Sequence, residues 1–90
     1  MSAASRTVEM KNRRGLHARA SAKFVTMAAG QSAIVEVEKD GSCVCGTSIM
    51  GLMMLGAAMG DTITIRAEGE GAEEAVAALA ALVEDRFGED

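Results

Sequence analysis

At 90 residues the chain suits a single domain, residues 1–90, with a modest core, because a chain of this size buries only about 60–65% of its unfolded surface. Its net charge of −4 argues against nucleic acid as a partner, since nucleic-acid-binding proteins normally present a basic face. No apolar run reaches the roughly 18 residues of a membrane span. Residues 1–10 also lack the apolar stretch of a secretory signal, so we expect a cytoplasmic protein without a membrane partner.

The first part of the chain predicts a strand followed by a helix. Residues 7–11 alternate in polarity, as a half-buried strand does. A polar, basic loop over residues 12–15 ends in glycine and leads to residues 18–29, which are rich in helix formers and stop at Gly30. This amphipathic stretch carries an apolar row at Ala18, Ala22, Val25 and Ala29, with Phe24 and Ala28 beside it.

A β-hairpin is predicted next. Residues 33–38 alternate as a second strand, and Asp40-Gly41 is the strongest kind of short hairpin signal. Residues 43–45 are therefore expected to pair with that strand as the third one.

Cys43 and Cys45 stand two residues apart in the predicted third strand. They would point to the same face with Cα atoms about 6.5–7 Å apart, which is a poor geometry for a disulfide. A metal site would need more ligands, and the chain offers only one histidine. We interpret the two cysteines as free thiols and expect no metal.

The second half of the chain predicts a short helix, a strand and a long helix. Residues 48–55 are short and glycine-containing, but Ser48 is a good N-cap. Residues 61–67 alternate as a fourth strand, and residues 72–87 predict a helix that Gly88 ends. One side of this last helix carries the apolar residues Val76, Leu79, Val83 and Phe87.

The order strand, helix, strand, strand, helix, strand, helix predicts an α+β fold of two layers, an antiparallel sheet with helices on one face. Periodicity alone does not separate this arrangement from a ferredoxin-like fold, which shares the first major elements.

His17 is the only histidine of the chain and stands where a glycine turn gives way to the first helix. Neutral imidazole is a good nucleophile, and a helix N-terminus favours a bound phosphate. Arg19 would add a positive charge with several donors. A phosphoryl acceptor is one interpretation of these residues, and a surface or capping histidine without a chemical role is the other.

Two segments resemble the signatures of one protein family. Gly15-Leu16-His17-Ala18-Arg19, followed by Ser21-Ala22-Lys23-Phe24-Val25, resembles the active-centre segment of HPr, the histidine phosphocarrier of the bacterial phosphotransferase system. Residues 47–56, Thr-Ser-Ile-Met-Gly-Leu-Met-Met-Leu-Gly, resemble that family's second signature. The resemblance covers essentially the whole chain and implies the HPr-like βαββαβα open-faced sandwich, with a four-stranded antiparallel sheet and three helices on one face.

The resemblance also implies a function. Nδ1 of His17 would take a phosphoryl group from a phosphohistidine of enzyme I and pass it to an EIIA-type domain, with Arg19 contacting the phosphate or a partner. The protein would act as a monomeric phosphoryl-transfer intermediate without a cofactor, rather than as a stand-alone enzyme. Positive charge at Arg13 and Arg14 either steers acidic partners or is solvated loop charge.

One departure from the family is clear, because Ala20 stands where the family usually has proline. Alanine is the best helix former, so we expect a less preorganised helix start and no loss of function. Residues 12–15 and Ala20 look slightly more like the nitrogen-related carriers than like the sugar-uptake branch.

The short second helix is expected to dock partners. Its inner side is predicted to be Leu52 and Leu55, which leaves methionines on the outside, where adaptable side chains suit several partners. By resemblance, the partner-binding residues are Ala20, Ile49, Met50 and Met53.

Ser48 matches a serine that many relatives present to a dedicated HPr kinase/phosphorylase, and a phosphate there would impede docking. The alternative function is a regulatory binding module of the same fold that uses Ile49, Met50 and Met53 without phosphoryl transfer. A thiol-redox domain built on the two cysteines lacks a Cys-x-x-Cys motif.

Overall fold

A four-stranded sheet carries three α-helices on one face in the computed structural model, which describes residues 2–89. The elements are β1 (Ala3–Glu9), α1 (Ala18–Ala29), β2 (Ile34–Lys39), β3 (Ser42–Cys45), α2 (Ile49–Met54), β4 (Thr62–Glu68) and α3 (Ala72–Glu84), followed by a 3-10 turn (Arg86–Gly88). The predicted α+β sandwich and its element order are confirmed. Within the described residues, no helix is long and apolar enough to cross a membrane.

The sheet has the strand order β1-β4-β2-β3, and every neighbouring pair is antiparallel. Val8 of β1 lies opposite Ile63 of β4, and Ile65 of β4 lies opposite Val37 of β2. These side chains are buried beneath the helices, while their chain neighbours point to the open face. Strand alternation therefore builds one wall of the core, as the period of two requires.

β1 is longer than predicted, beginning at Ala3 rather than at residue 7, and it ends at Glu9 rather than at residue 11. Its first residues pair with β4 through the backbone, with Ala3 opposite Glu68 and Ala4 opposite Ala67. Residues 3–6 do not alternate in polarity and therefore do not predict a strand. Backbone pairing with β4, rather than burial of side chains, extends the strand to Ala3.

The bounds of α1 are confirmed, and its buried face runs through Phe24 and Ala28 rather than along the apolar row beside them. The buried residues are Ala20, Ser21, Phe24 and Ala28, whereas Ala18 and Ala29 are exposed and Ala22 and Val25 are half-buried. Phe24, which is fully buried, sets the face, and the small alanines fit either side. Ser21 is tolerated in the core because its hydroxyl donates to the carbonyl oxygen of Leu16 at 3.2 Å.

The predicted end of the last helix is also wrong. α3 ends at Glu84, and the chain continues through the 3-10 turn with Arg86 and Phe87 at positive φ, 57° and 55°. Phe87 is 1% exposed, so its ring still joins the core although its backbone has left the helix. The burial of Val76, Leu79 and Val83 on α3 is confirmed, as is that of Phe87.

Candidate functional site

The loop before α1 fixes the position of His17. Gly15 adopts a φ of 61°, and a Cβ at this position would collide with the carbonyl oxygen of Ala57. The next residue, Leu16, is buried, and its N–H donates to that same carbonyl at 2.9 Å. The loop is thus docked on the segment that follows α2, and His17 is the first residue that leaves this anchor.

His17 is the N-cap of α1, with extended backbone angles. Its Nδ1 accepts a hydrogen bond from the N–H of Arg19 at 3.3 Å, and its Nε2 lies 2.7 Å from Oε2 of Glu89. A neutral imidazole that accepts at Nδ1 and faces a carboxylate at Nε2 must carry its proton on Nε2. The lone pair of Nδ1 therefore points toward the helix N-terminus, which is the phosphate-friendly end of a helix.

Glu89 is itself held in place. Its Oε1 accepts from Nδ2 of Asn12 at 3.1 Å, and the same amide donates to the carbonyl oxygen of Gly15 at 2.8 Å. Burial raises the pKa of Glu89, but hydrogen bonds from Asn12 and His17 and the nearby charge of Lys23 outweigh it, so the pKa lies below its ordinary value. Glu89 is accordingly a carboxylate at neutral pH.

Sequence analysis missed Asn12 and Glu89 as parts of this site. Glu89 lies 72 residues from His17 along the chain, and no motif joins them. Asn12 is 1% exposed, which an asparagine in a basic loop does not suggest. Only the folded chain shows that Asn12 is buried and that its amide donates to two acceptors.

The positive charges lie as expected on the surface near His17. Arg19 is exposed in the first turn of α1, and Arg13 and Arg14 are exposed in the loop before it. Lys23 lies one turn further along α1, where its Nζ donates to the carbonyl oxygen of Phe87 at 2.6 Å. α1 therefore combines an exposed guanidinium near the ring with an ammonium group that holds the segment after α3.

α2 begins as the sequence predicts. The hydroxyl of Ser48 accepts from the N–H of Gly51 at 3.0 Å, which makes it the N-cap. Leu52 and Leu55 are buried, as expected. Ser48 is consequently explained as a cap, and its hydroxyl lies at the start of the helix.

An apolar patch covers the outer side of α2. We define the docking patch as Ile49, Met50 and Met53, which are 41%, 73% and 44% exposed. Met54, at 81%, extends this surface, as the expected outward position of the methionines implies, although it was not among the predicted partner-binding residues. α2 packs against α1, and the carbonyl of Ala57 shortly after α2 anchors the loop before His17, so the helix that carries the patch neighbours the helix that His17 caps.

Ala20 was expected to contact partners, and the structure contradicts this. Its side chain is 0% exposed and packs in the core beneath α1. The helix turns this position inward, so Ala20 offers no surface to a partner. Alanine here matters for the packing of the first turn of the helix.

Both cysteines are exposed free thiols, as expected. A hydrogen bond with Thr47 lowers the pKa of Cys45, whereas desolvation and the neighbouring Glu36 raise the pKa of Cys43. Within residues 2–89, no group of three or more His, Cys, Asp or Glu side chains is arranged to hold a metal ion.

This chain is similar to proteins of one known family. The family model described as the PTS HPr component phosphorylation site matches residues 4–85. The chain belongs to the HPr family of phosphocarriers of the phosphotransferase system. Among HPr relatives, the phosphocarrier protein HPr of Cupriavidus necator is 46% identical over 78 residues, which cover 87% of this chain and 88% of the relative. The HPr of Neisseria meningitidis serogroup A is 47% identical over 83 residues, 92% and 93% of the two chains.

The fold of this HPr-family chain also matches solved structures. A crystal structure of HPr from Thermoanaerobacter tengcongensis superposes with a TM-score of 0.92 at 46% sequence identity. The match covers 97% of this chain and 98% of that one. The HPr-like sandwich that the resemblance implied is therefore confirmed over nearly the entire chain.

Proposed function

We propose that this protein accepts a phosphoryl group on Nδ1 of His17 from phosphorylated enzyme I and donates it to an EIIA-type domain. One observation carries the proposal. The ring of His17 caps α1 with its Nδ1 lone pair facing the helix N-terminus, while its proton is held at Nε2 by Glu89. Family membership supports the class of reaction, and this geometry supports Nδ1 as the reacting atom.

The transfer needs few groups. The lone pair of Nδ1 attacks the phosphorus of the donor's phosphohistidine in line, a new N–P bond forms, and the electron pair of the broken bond returns to the donor ring. The hydrogen bond between Nδ1 and the Arg19 N–H is long, at 3.3 Å, and is readily given up. The freed N–H and the exposed guanidinium of Arg19 then support the phosphoryl oxygens.

The docking patch serves both partners in this proposal. It is apolar and exposed, and its helix packs against the helix that His17 caps, as suits a surface for successive enzyme I and EIIA contacts. A phosphate on Ser48 from an HPr kinase/phosphorylase would add about −1.5 to −2 charges at the edge of this patch and weaken docking. The carrier acts in the cytoplasm as a monomer, in sugar uptake or in nitrogen-related regulation.

The second candidate is a regulatory binding module that uses the docking patch without phosphoryl transfer. The observation in its favour is the patch itself, which is more exposed than the side chain of His17, at 17%. The two candidates differ in one respect, namely whether phosphate reaches His17.

The test is incubation of the purified protein with enzyme I and phosphoenolpyruvate. We expect one acid-labile, base-stable phosphate per chain, and none in His17→Ala. Arg13→Ala is the matched control, because this substitution lies in the adjoining loop. It should be labelled normally. Equal labelling of His17→Ala by enzyme I would show that the proposed site is wrong.

A further inference from the structure

We propose that Met50, Met53 and Met54 form a site of reversible oxidation, at which conversion of their thioethers to sulfoxides by a peroxide weakens the docking of partners on α2. This inference rests on the proposed function and deepens it, because it assigns a chemical control to the docking patch. Met50 and Met53 belong to the patch, and Met54 extends it.

The exposed methionines of residues 2–89 are concentrated in and just after α2. In addition to the three methionines of the helix, Met59 is 58% exposed in the segment that follows. Met10, by contrast, is fully buried in the core, and Met27 is half-buried on α1 and packs against the core. A dissolved oxidant therefore reaches the thioethers of α2 more readily than those of the rest of the described chain.

Helical spacing places the three thioethers of α2 on one side. Met50, Met53 and Met54 stand at positions i, i+3 and i+4, which are neighbours on the surface of a helix. Leu52 lies on the opposite side and is fully buried. Oxidation of this cluster therefore changes the outer side of α2 and leaves its contact with the core in place.

The chemistry of the thioether makes the modification reversible. A lone pair of the sulfur attacks one oxygen of hydrogen peroxide, the O–O bond breaks, and the second oxygen leaves as water with the proton of the first. The sulfur is oxidised by two electrons, and the peroxide is reduced. Sulfoxide reductases reverse the step, because they release the oxygen as water while two thiols are oxidised to a disulfide.

A sulfoxide changes what the docking patch offers to a partner. The thioether is flexible and apolar, whereas the sulfoxide is polar and loses free energy when a partner covers it without donating a hydrogen bond. The helix itself is held by the cap from Ser48 and by the buried Leu52 and Leu55, and none of these contacts involves an exposed sulfur. We therefore expect weaker docking with little change in stability.

Two exposed thiols respond to the same oxidant and must be distinguished from the methionines. Cys43 and Cys45 are free on β3, the element that precedes α2. Dithiothreitol reduces disulfides and sulfenic acids, whereas the return of methionine sulfoxide to methionine requires a sulfoxide reductase for each of its two epimers. Treatment with the two kinds of reductant in turn assigns a change in binding to one class of sulfur.

The experiment treats the protein with hydrogen peroxide, reduces its thiols with dithiothreitol and measures its affinity for enzyme I by isothermal titration. Peptide mass spectrometry should find oxygen on the methionines of α2 before it reaches Met27 or Met10. We expect the affinity to fall by about tenfold, which corresponds to ~1.4 kcal/mol. Incubation with both sulfoxide reductases should restore it, and the thermal unfolding temperature should stay close to its starting value.

Variants identify the methionines responsible, and each variant is compared with its own untreated sample. In the triple variant Met50→Leu, Met53→Leu, Met54→Leu, peroxide should not change the affinity, because leucine carries no thioether. Met59→Leu is the matched control, since it removes an exposed thioether outside α2. Its affinity should fall on treatment as that of the wild type does.

Three results would overturn the inference and leave the proposed function intact. They are normal binding of enzyme I by wild-type protein that carries the sulfoxides, a loss of affinity that the sulfoxide reductases do not reverse, and an equal loss in the triple variant. Absence of phosphate on His17 of the untreated wild type after incubation with enzyme I and phosphoenolpyruvate would instead refute the proposed function, and the inference with it.

Discussion

Both ring nitrogens of His17 make a hydrogen bond, and only one of these two contacts follows from the local sequence. The capping contact to the N–H of Arg19 is local and follows from a histidine at the start of a helix. The contact to Glu89 spans 72 residues and depends on the turn after α3, which departs from the helix that the sequence predicts. At the residue scale, the motif identifies the side chain proposed to react, and the tertiary fold supplies the carboxylate that contacts it.

Arg19 should matter for transfer and little for folding. Its side chain is exposed, so Arg19→Ala should keep the thermal unfolding temperature close to that of the wild type. We expect phosphorylation by enzyme I to slow by about tenfold or more, which corresponds to ~1.4 kcal/mol of lost transition-state stabilisation. Rapid-quench kinetics in both directions measures this effect. Unchanged rates in both directions would remove Arg19 from the site.

At the scale of one element, α2 divides its apolar residues between the core and the exposed docking patch. One side of the helix supplies Leu52 to the core, and the other leaves the docking patch exposed. Helical spacing predicts this division, because six residues cannot bury every apolar side chain against one layer. The same kind of pattern does not define the buried face of α1, since alanine fits the inside and the outside of a helix equally well.

Met50→Glu should weaken binding to enzyme I without destabilising the protein. Met50 is 73% exposed, so a charge there opens no cavity and should change the free energy of unfolding by less than about 0.5 kcal/mol. Isothermal titration with enzyme I and thermal unfolding separate the two effects. Ile34→Glu is the control, because Ile34 is 71% exposed on β2, outside the patch. Normal affinity in Met50→Glu would place the docking surface elsewhere.

Ser48 combines a cap with a proposed site of regulation, and two substitutions distinguish these roles. Aspartate and asparagine both replace serine well as N-caps, so α2 should survive in Ser48→Asp and in Ser48→Asn. Only the aspartate adds negative charge beside the docking patch. We therefore expect weaker enzyme I binding for Ser48→Asp and near wild-type binding for Ser48→Asn. Equal affinities of the two variants would argue against electrostatic regulation at this position.

Across the whole molecule, three distant segments meet at one end of α1. They are the loop over residues 12–16, the backbone of Ala57 after α2, and the turn that ends in Glu89. Alternating polarity and glycine turns predict the strands, the helices and the two-layer fold class. The strand order β1-β4-β2-β3 comes from the structure, because periodicity does not encode which strands are neighbours. The convergence of the three segments depends on that order and on the buried Phe87, so local patterns do not reveal it.

The central claim is that this fold carries a phosphoryl group and gives it up, and one measurement tests both parts. The phosphorylated protein is isolated from enzyme I and phosphoenolpyruvate and then mixed with an EIIA domain, and phosphorus-31 NMR follows the phosphate. We expect the signal of an Nδ1-phosphohistidine on His17, which disappears as EIIA becomes phosphorylated. A phosphate bound to another residue, or one that stays on His17 in the presence of each EIIA domain of the source organism, would contradict it.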